Sequence, residues 1–248
     1  MKWSVQILRA GRFGAYDESL YNTWMANRAY ASVWVRGFDE ASMSASFERL
    51  LSTVPLSVTP PGFTGLVIRA VDFTEPLLED YDLRSVSHSA ADVAALAREH
   101  ADRDVAYEVS ARWDLWVRDS AEVAWKQRPE PLEIACYGPE YDSGVSAESG
   151  NFLADIGFEH LFTGHAGLLA ASRAGVEQRE HVEEARFLAW MSRPENLREY
   201  HEKTRENVQK LMDWMRAIED ALPLERFRLW SEGEENFEAR LDEILAVR

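Results

Sequence analysis

The sequence has very little cysteine and no long apolar run. Cys136 is the one cysteine among 248 residues, so no intramolecular disulfide can form. Its position in an apolar alternation is typical of a small buried side chain. No segment approaches the roughly 20 consecutive apolar residues that a membrane-spanning helix requires. The N-terminal residues predict a strand and not a signal peptide. These absences predict a soluble protein of the cytoplasm.

The motifs of several common catalytic classes are also absent. The chain has no GxxxxGK[ST] phosphate loop, no GxGxxG after a strand, no GxSxG elbow, no HExxH and no CxxC. GRFG (11–14) follows a predicted strand, but two glycines without the rest of a phosphate-binding motif indicate a turn. We therefore expect no nucleotide chemistry, no thiol redox chemistry, no structural zinc and no cofactor.

Negative charge is in large excess and is spread along the chain. The 27 basic and 43 acidic residues give a net charge of −16. Residues 176–248 hold 12 basic and 18 acidic residues, and the first 175 residues carry the remaining −10. A field of this sign repels phosphate backbones and anionic lipid surfaces. It argues against nucleic-acid and membrane binding and favours a basic protein partner, although acidity is also an ordinary means of staying soluble.

Three predicted β-strands between residues 105 and 163 organise the chain. In VAYEVSARWDLWVR (105–118), apolar side chains occupy every second position, and PLEIACYG (131–138) and NFLADIGFEHLF (151–162) repeat the pattern. Such alternation predicts strands with one buried and one wet face, and therefore a half-solvated antiparallel sheet. The intervening residues 118–131 are predicted to be a loop. Residues 138–150 are predicted to be a hairpin loop or a lip over one end of the sheet.

Helical spacing dominates the last third of the chain. It predicts a long helix from about Ser192 to Leu222 and a closing helix over 236–248, joined by the connector FRLWSEGEEN (227–236). Earlier segments predict strands and helices in alternation. These are strands at 31–38 and 66–73, and helices capped by Asp39 and Ser89.

The predicted fold class is α+β. We expect a mainly antiparallel sheet (meander 105–163) with helices packed on one face and a long C-terminal helix. A single domain over 1–248 is the simplest organisation, and a division into a sheet part (1–175) and a helical part (176–248) stays open.

One segment, DIGFEHLFTGH (155–165), holds the candidate catalytic side chains Asp155, Glu159, His160 and His165. In a regular strand, both carboxylates lie on the wet face and His160 on the other, and a bulge near Gly157 could re-aim one of them. His160 and His165 are the candidate metal ligands, and His181 or His201 could complete a site of three or four ligands. The alternative is that the carboxylates are solvated and the histidines structural, with His201 in a packed helix seam.

A second candidate site is a binding patch. Trp116 lies on the polar parity of its strand and Trp125 in a charged loop, close in sequence to Arg112 and Arg118. Trp and Arg are enriched at protein interfaces, although the C-terminal helix could instead cover Trp116. We therefore hypothesise a non-enzymatic, acidic binding protein of the inhibitor or antidote type that masks a basic partner. The alternative is a metal-assisted hydrolase built on the 155–165 segment.

Overall fold

Seven strands form one antiparallel sheet in the computed structural model, which describes residues 27–119, 124–164 and 189–246. The spatial order of the strands is β3-β2-β4-β5-β6-β1-β7, so the first strand lies between the last two. The strands are β1 (Arg28–Val35), β2 (Phe63–Ala70), β3 (Leu77–Asp82), β4 (Val105–Asp119), β5 (Ala124–Tyr137), β6 (Phe152–Phe158) and β7 (Leu224–Ser231).

The predicted α+β class is confirmed, and most of the helices cover one face of the sheet. The helices are α1 (Glu40–Thr53), α2 (Ala90–Arg98), α3 (Ser146–Ser149), α4 (His160–Thr163), α5 (Pro194–Ala221) and α6 (Phe237–Ala246). The short α3 lies on the other side, where the carbonyl of Ala147 accepts a hydrogen bond from the Trp34 indole N–H at 3.2 Å. Asp39 and Ser89 cap α1 and α2 as predicted, each in a reciprocal capping box. The predicted long C-terminal helix is α5. No helix within the described residues is long and apolar enough to cross a membrane.

The core lies between the helices and the apolar parity of the strands. Tyr107 and Trp113 of β4 are fully buried, as the alternation predicts. Phe47 of α1 packs on Tyr107 with ring centroids 5.1 Å apart, and Trp214 of α5 packs on Trp113 at 5.9 Å. We call the opposite side of the sheet the polar face. At one end of the polar face, Tyr141 stacks on Tyr137, so residues of the 138–150 segment cover that end.

The predicted loop 118–131 is wrong, because β5 begins at Ala124 and continues the hairpin with β4. Pro129 and Pro131 belong to this strand. β6 pairs with β5 only between Glu133 and Cys136. The prolines therefore lie where the second edge of β5 has no neighbouring strand among the described residues, and a missing N–H is tolerated there.

The predicted connector 227–236 is also wrong in its first half, which belongs to β7. This strand pairs with β1 from Ala29 to Val35. Exposed Arg226 and Arg228 alternate with Phe227 and Leu229, and only Leu229 is fully buried. So short an alternation with so little burial gives a weak strand signal in the sequence.

Side chains of α5 close the edge of β4 that β2 leaves free. β2 pairs with β4 only as far as Ala111. Beyond Ala111, the backbone N–H of Trp116 donates to Asn207 Oδ1 at 2.8 Å. Asn207 Nδ2 donates in turn to the backbone carbonyls of Trp116 and Leu161, each at 3.0 Å. Lys210 Nζ donates to the Asp114 carbonyl at 2.9 Å. The helix thus takes the place of a neighbouring strand and fixes its own position on the sheet.

Candidate functional site

One row of directly opposed residues crosses all seven strands on the polar face. Opposed residues of an antiparallel sheet project to the same side with their Cβ atoms about 4.5–5.5 Å apart. We call these residues the cross-strand row. In spatial order they are Asp82, Gly65, Ser110, Glu133, Asp155, Tyr30 and Trp230. At its centre, the row places the carboxylates of Glu133 and Asp155 side by side on neighbouring strands.

Asp155 has its own counter-charge within the fold. Its side chain is 1% exposed and forms an ion pair with Arg28 of β1, which is 22% exposed. The Gly157 N–H donates a further hydrogen bond to the same carboxylate at 3.0 Å. Burial nevertheless raises the pKa of Asp155, against the lowering effect of Arg28. The guanidinium of Arg28 therefore already has a carboxylate partner, and it offsets part of the effect of burial on Asp155.

Among the described residues, Glu133 has no ion pair with a cation comparable to that of Asp155. Its hydrogen-bond partner within the described residues is the Ser110 hydroxyl, at 2.6 Å from Oε2. Burial raises the pKa of Glu133 to about 7, and the adjacent Asp155 carboxylate adds to the shift, whereas Ser110 and the more distant Arg28 lower it. Like charges directly opposed on a sheet destabilise each other. The centre of the row thus holds two carboxylates, Glu133 and Asp155, beside the one arginine that pairs with Asp155.

The next carboxylate on the polar face is neutralised within the fold. Glu108 of β4 forms an ion pair with Arg69 of β2, at 3.1 Å between Oε1 and Nε. Burial raises the pKa of Glu108, and Arg69 opposes that shift. Glu108 and Asp155 therefore each have an arginine, whereas Glu133, on the strand between theirs, has a hydroxyl group.

Replacing Glu133 with glutamine is expected to stabilise the protein at alkaline pH. The folded-state pKa of Glu133 lies above its ordinary value of 4.5, so the wild-type protein loses stability as pH rises and this carboxyl group ionises. The glutamine variant should be more stable by about 2–3 kcal/mol near pH 8, and the difference should shrink toward zero near pH 4.5. Urea unfolding of both proteins across this range measures it. A variant less stable than wild type at pH 8 would contradict the expected surplus of charge.

The structure separates the described members of the predicted catalytic segment. Asp155 lies on the polar face, as its parity predicts, but the expectation that it is solvated there is wrong, because it is buried against Arg28. Glu159 lies beyond the end of β6 and accepts a hydrogen bond from the Gly233 N–H at 3.0 Å. His160 begins α4, with its ring 5.7 Å from that of Phe158. Across 27–119, 124–164 and 189–246, no group of three or more His, Cys, Asp or Glu side chains could hold a metal ion.

A bulge near Gly157 is present, as the sequence allowed. The β1 partner changes from Gly157 opposite Ala29 to Asp155 opposite Tyr30, so Ile156 is the extra residue. Gly157 has φ of +108°, a conformation that L side chains rarely adopt. The bulge lets the Gly157 N–H turn back to the Asp155 carboxylate and ends the strand at Phe158. The predicted strand through Phe162 is therefore too long.

The histidines have different environments. Burial lowers the pKa of His160 to about 4, so its imidazole is neutral at physiological pH. His201 is exposed on α5, which corrects its expected place in a packed seam. His165, His181 and the glycines of residues 11–14 lie outside the described residues.

The four predicted binding residues lie on the β4–β5 hairpin, and three of them contact the C-terminal helical region. Lys203 of α5 lies 3.7 Å from the centre of the Trp116 ring, whose indole N–H donates to Glu206 of the same helix. The other three residues, Trp125, Arg118 and Arg112, make two ring contacts and one hydrogen bond. Trp125 packs on Tyr200 at 5.3 Å, Arg118 lies 4.0 Å from the Trp190 ring, and Arg112 donates to the Pro129 carbonyl at 3.0 Å.

The sequence pointed to Asp155 as a candidate site residue but not to Glu133 or Arg28. Glu133 is a single polar residue within an apolar alternation, and its special position arises from register with Asp155 and from the distance to Arg28. Arg28 lies 127 residues before its partner Asp155. The one available signal was the polar parity of PLEIACYG, which places Glu133 on the face opposite the helices.

Comparison with protein-family models, with curated proteins and with solved structures finds no match.

Proposed function

We propose that this protein is a non-enzymatic binding protein that masks a basic protein partner, as an inhibitor or antidote does. The observation that supports the proposal is the carboxylate surplus of the cross-strand row. Within 27–119, 124–164 and 189–246, Glu133 lies next to the Asp155–Arg28 pair and has no arginine of its own in an ion pair. A binding surface commonly keeps such a destabilising group because the partner relieves it.

A lysine or arginine side chain of the partner fits this position. A cation that approaches Glu133 would form a charge-assisted hydrogen bond with a carboxylate that is already poorly hydrated. The half-buried position strengthens that interaction, because the local dielectric constant is lower than that of water. The net charge of −16 adds long-range attraction, which raises the association rate for a basic protein and weakens as salt is added.

A capture experiment with matched variants tests the proposal. Immobilised wild-type protein is exposed to cell lysate at about 50 mM and about 500 mM NaCl, and retained proteins are identified by mass spectrometry. We expect a protein of basic isoelectric point to bind at the lower salt and to be released at the higher. Glu133→Gln should weaken its capture, because the charge is lost while the hydrogen bond from Ser110 can remain.

The control is Glu219→Gln, which removes the same charge from an exposed position on α5. This variant should retain the basic protein as well as wild type does. Equal capture by both glutamine variants, or no basic protein captured at low salt, would contradict the proposal.

The hydrolase hypothesis from Asp155, Glu159, His160 and His165 stays a prediction. The described contacts give it less support, because the side chains of Asp155, Glu159 and His160 contact Arg28, Gly233 and Phe158 respectively. Elemental analysis of the purified protein tests it directly. A stoichiometric transition metal that is lost on substituting His160 would favour this second function over the first.

A further inference from the structure

The outer edge of β3 is one of the two edges of the described sheet that have no neighbouring strand, the other being that of β7. β3 pairs with β2 from Asp82 to Leu77, and no described strand lies on its other side. An edge strand exposes a row of backbone N–H and C=O groups that can pair with another chain, and proteins usually protect such edges. The β3 edge therefore carries unused hydrogen-bonding capacity along six residues.

The opposite edge of the sheet is protected. Glu238 of α6 accepts a hydrogen bond from the backbone N–H of Leu229 in β7, at 2.7 Å. Arg226 and Arg228 place positive charge on the same strand. At β7, a basic segment would find the N–H of Leu229 already bonded and would be repelled by Arg226 and Arg228. At β3, it would meet neither obstacle.

The side chains of β3 combine acidic and apolar character. Asp80 and Asp82 are exposed on the polar face, opposite Val67 and Gly65 of β2. Leu77 and Leu78, which are adjacent at the start of the strand, are 37% and 47% exposed and provide apolar surface there. The edge therefore offers backbone pairing, apolar contact and negative charge at one place.

We propose that the basic partner adds an extended segment to β3 as an eighth strand; this inference rests on the proposed function and names the mode of binding. Main-chain hydrogen bonds to β3 would supply affinity, and alternate side chains would supply specificity. Residues of one parity would lie beside Asp80 and Asp82 and would be basic. Residues of the other parity would lie beside Tyr81, on the helix-covered side. Arg84 already pairs with Asp82, but that pair is exposed and competes weakly.

A second copy of this chain is a poorer occupant of the same edge. Two β3 strands side by side would place the acidic residues of each close to those of the other, and like charges on neighbouring strands repel. The net charge of −16 on each copy adds to that repulsion.

Calorimetry with a defined probe tests the proposal on the whole protein. The probe is a blocked hexapeptide of alternating lysine and valine, whose length matches the six residues of β3, about 20 Å. We expect it to bind at low salt and to slow hydrogen exchange of amides within 77–82, whereas the matching glutamate–valine peptide does not bind. Asp80→Lys should weaken binding ten-fold or more, and Asp220→Lys, the same charge change at an exposed site on α5, less than two-fold.

Two N-methylated peptides separate strand pairing from simple charge attraction. One peptide carries methyl groups on the backbone nitrogens of its three lysines, and the other on the backbone nitrogens of its three valines. Each set of methyl groups removes the backbone N–H donors along one edge of the extended peptide. Strand addition requires that one of these peptides lose affinity ten-fold or more while the other retains it. Equal binding of both, or equal weakening by Asp80→Lys and Asp220→Lys, would overturn strand addition.

The capture experiment distinguishes this failure from failure of the proposed function. A basic protein that is captured, is sensitive to Glu133→Gln and gives no protection at 77–82 would leave the proposed function intact and refute the β3 edge. Dimerisation of the wild-type protein that slows hydrogen exchange within 77–82 in the absence of any basic partner would assign the edge to a second copy and also refute the proposal.

Discussion

Replacing Asn207 with leucine is expected to lower the free energy of unfolding by about 3–6 kcal/mol. Asn207 is 2% exposed, and its amide satisfies the N–H and C=O of Trp116 and the C=O of Leu161. Leucine fills a similar volume and leaves all three backbone groups without a partner. Each buried, unsatisfied group costs about 1–3 kcal/mol. Urea unfolding followed by circular dichroism measures the loss.

Two further variants make the Asn207 result interpretable. Asn207→Asp keeps the acceptor for the backbone N–H of Trp116 but places a buried carboxyl group against the carbonyls of Trp116 and Leu161, so its stability should fall further as pH rises and this group ionises. Gln209→Leu, on the exposed side of the same helix, should change stability by less than about 0.5 kcal/mol. A loss below about 1 kcal/mol in Asn207→Leu would show that α5 is not anchored to β4 through this amide.

Replacing Arg28 with methionine is expected to cost about 3–5 kcal/mol near pH 8. The variant leaves the Asp155 carboxylate buried, beside Glu133, and without its guanidinium. The pKa of Asp155, already raised by burial, should rise further, because Arg28 is the group that lowers it. Protonation then relieves the cost, so the variant should recover stability relative to wild type as pH falls toward about 5.

The reverse substitution should be less damaging. Asp155→Asn leaves Arg28, which is partly exposed and can be hydrated or turn toward Glu133. Thermal unfolding of both variants at pH 5 and pH 8 compares them. Losses of equal size in the two variants, or a loss in Arg28→Met that does not depend on pH, would contradict the electrostatic description of the row.

The fold class could be predicted from the sequence because the apolar alternation of β4 is long and regular. Tyr107 and Trp113 had to face a core, and helical spacing after residue 194 supplied its cover. The errors occur where alternation is short or interrupted. Pro129 and Pro131 interrupt the strand pattern at the start of β5. In β7, the exposed arginines and the small number of buried residues weaken the pattern that would predict an edge strand.

The site could not be predicted in the same way, because its chemistry depends on register. Glu133 and Asp155 are 22 positions apart in the chain and become neighbours only through the pairing of β5 with β6. Arg28 reaches Asp155 from a strand that is inserted between β6 and β7. At the bulge, the backbone N–H of Gly157 contacts the Asp155 carboxylate. The strand ends at Phe158, so Glu159 lies outside the sheet. None of these relations has a local pattern in the sequence.

Titration of the Glu133 carboxyl group by carbon-detected NMR is the most direct measurement of the charge surplus that supports the proposed function. The pKa of Glu133 in the free protein should be about 7, and it should fall when a lysine-containing partner or peptide binds close by. A pKa at or below 4.5, the ordinary value for glutamate, would show that the fold already neutralises this carboxylate and leaves no unmet charge for a basic partner.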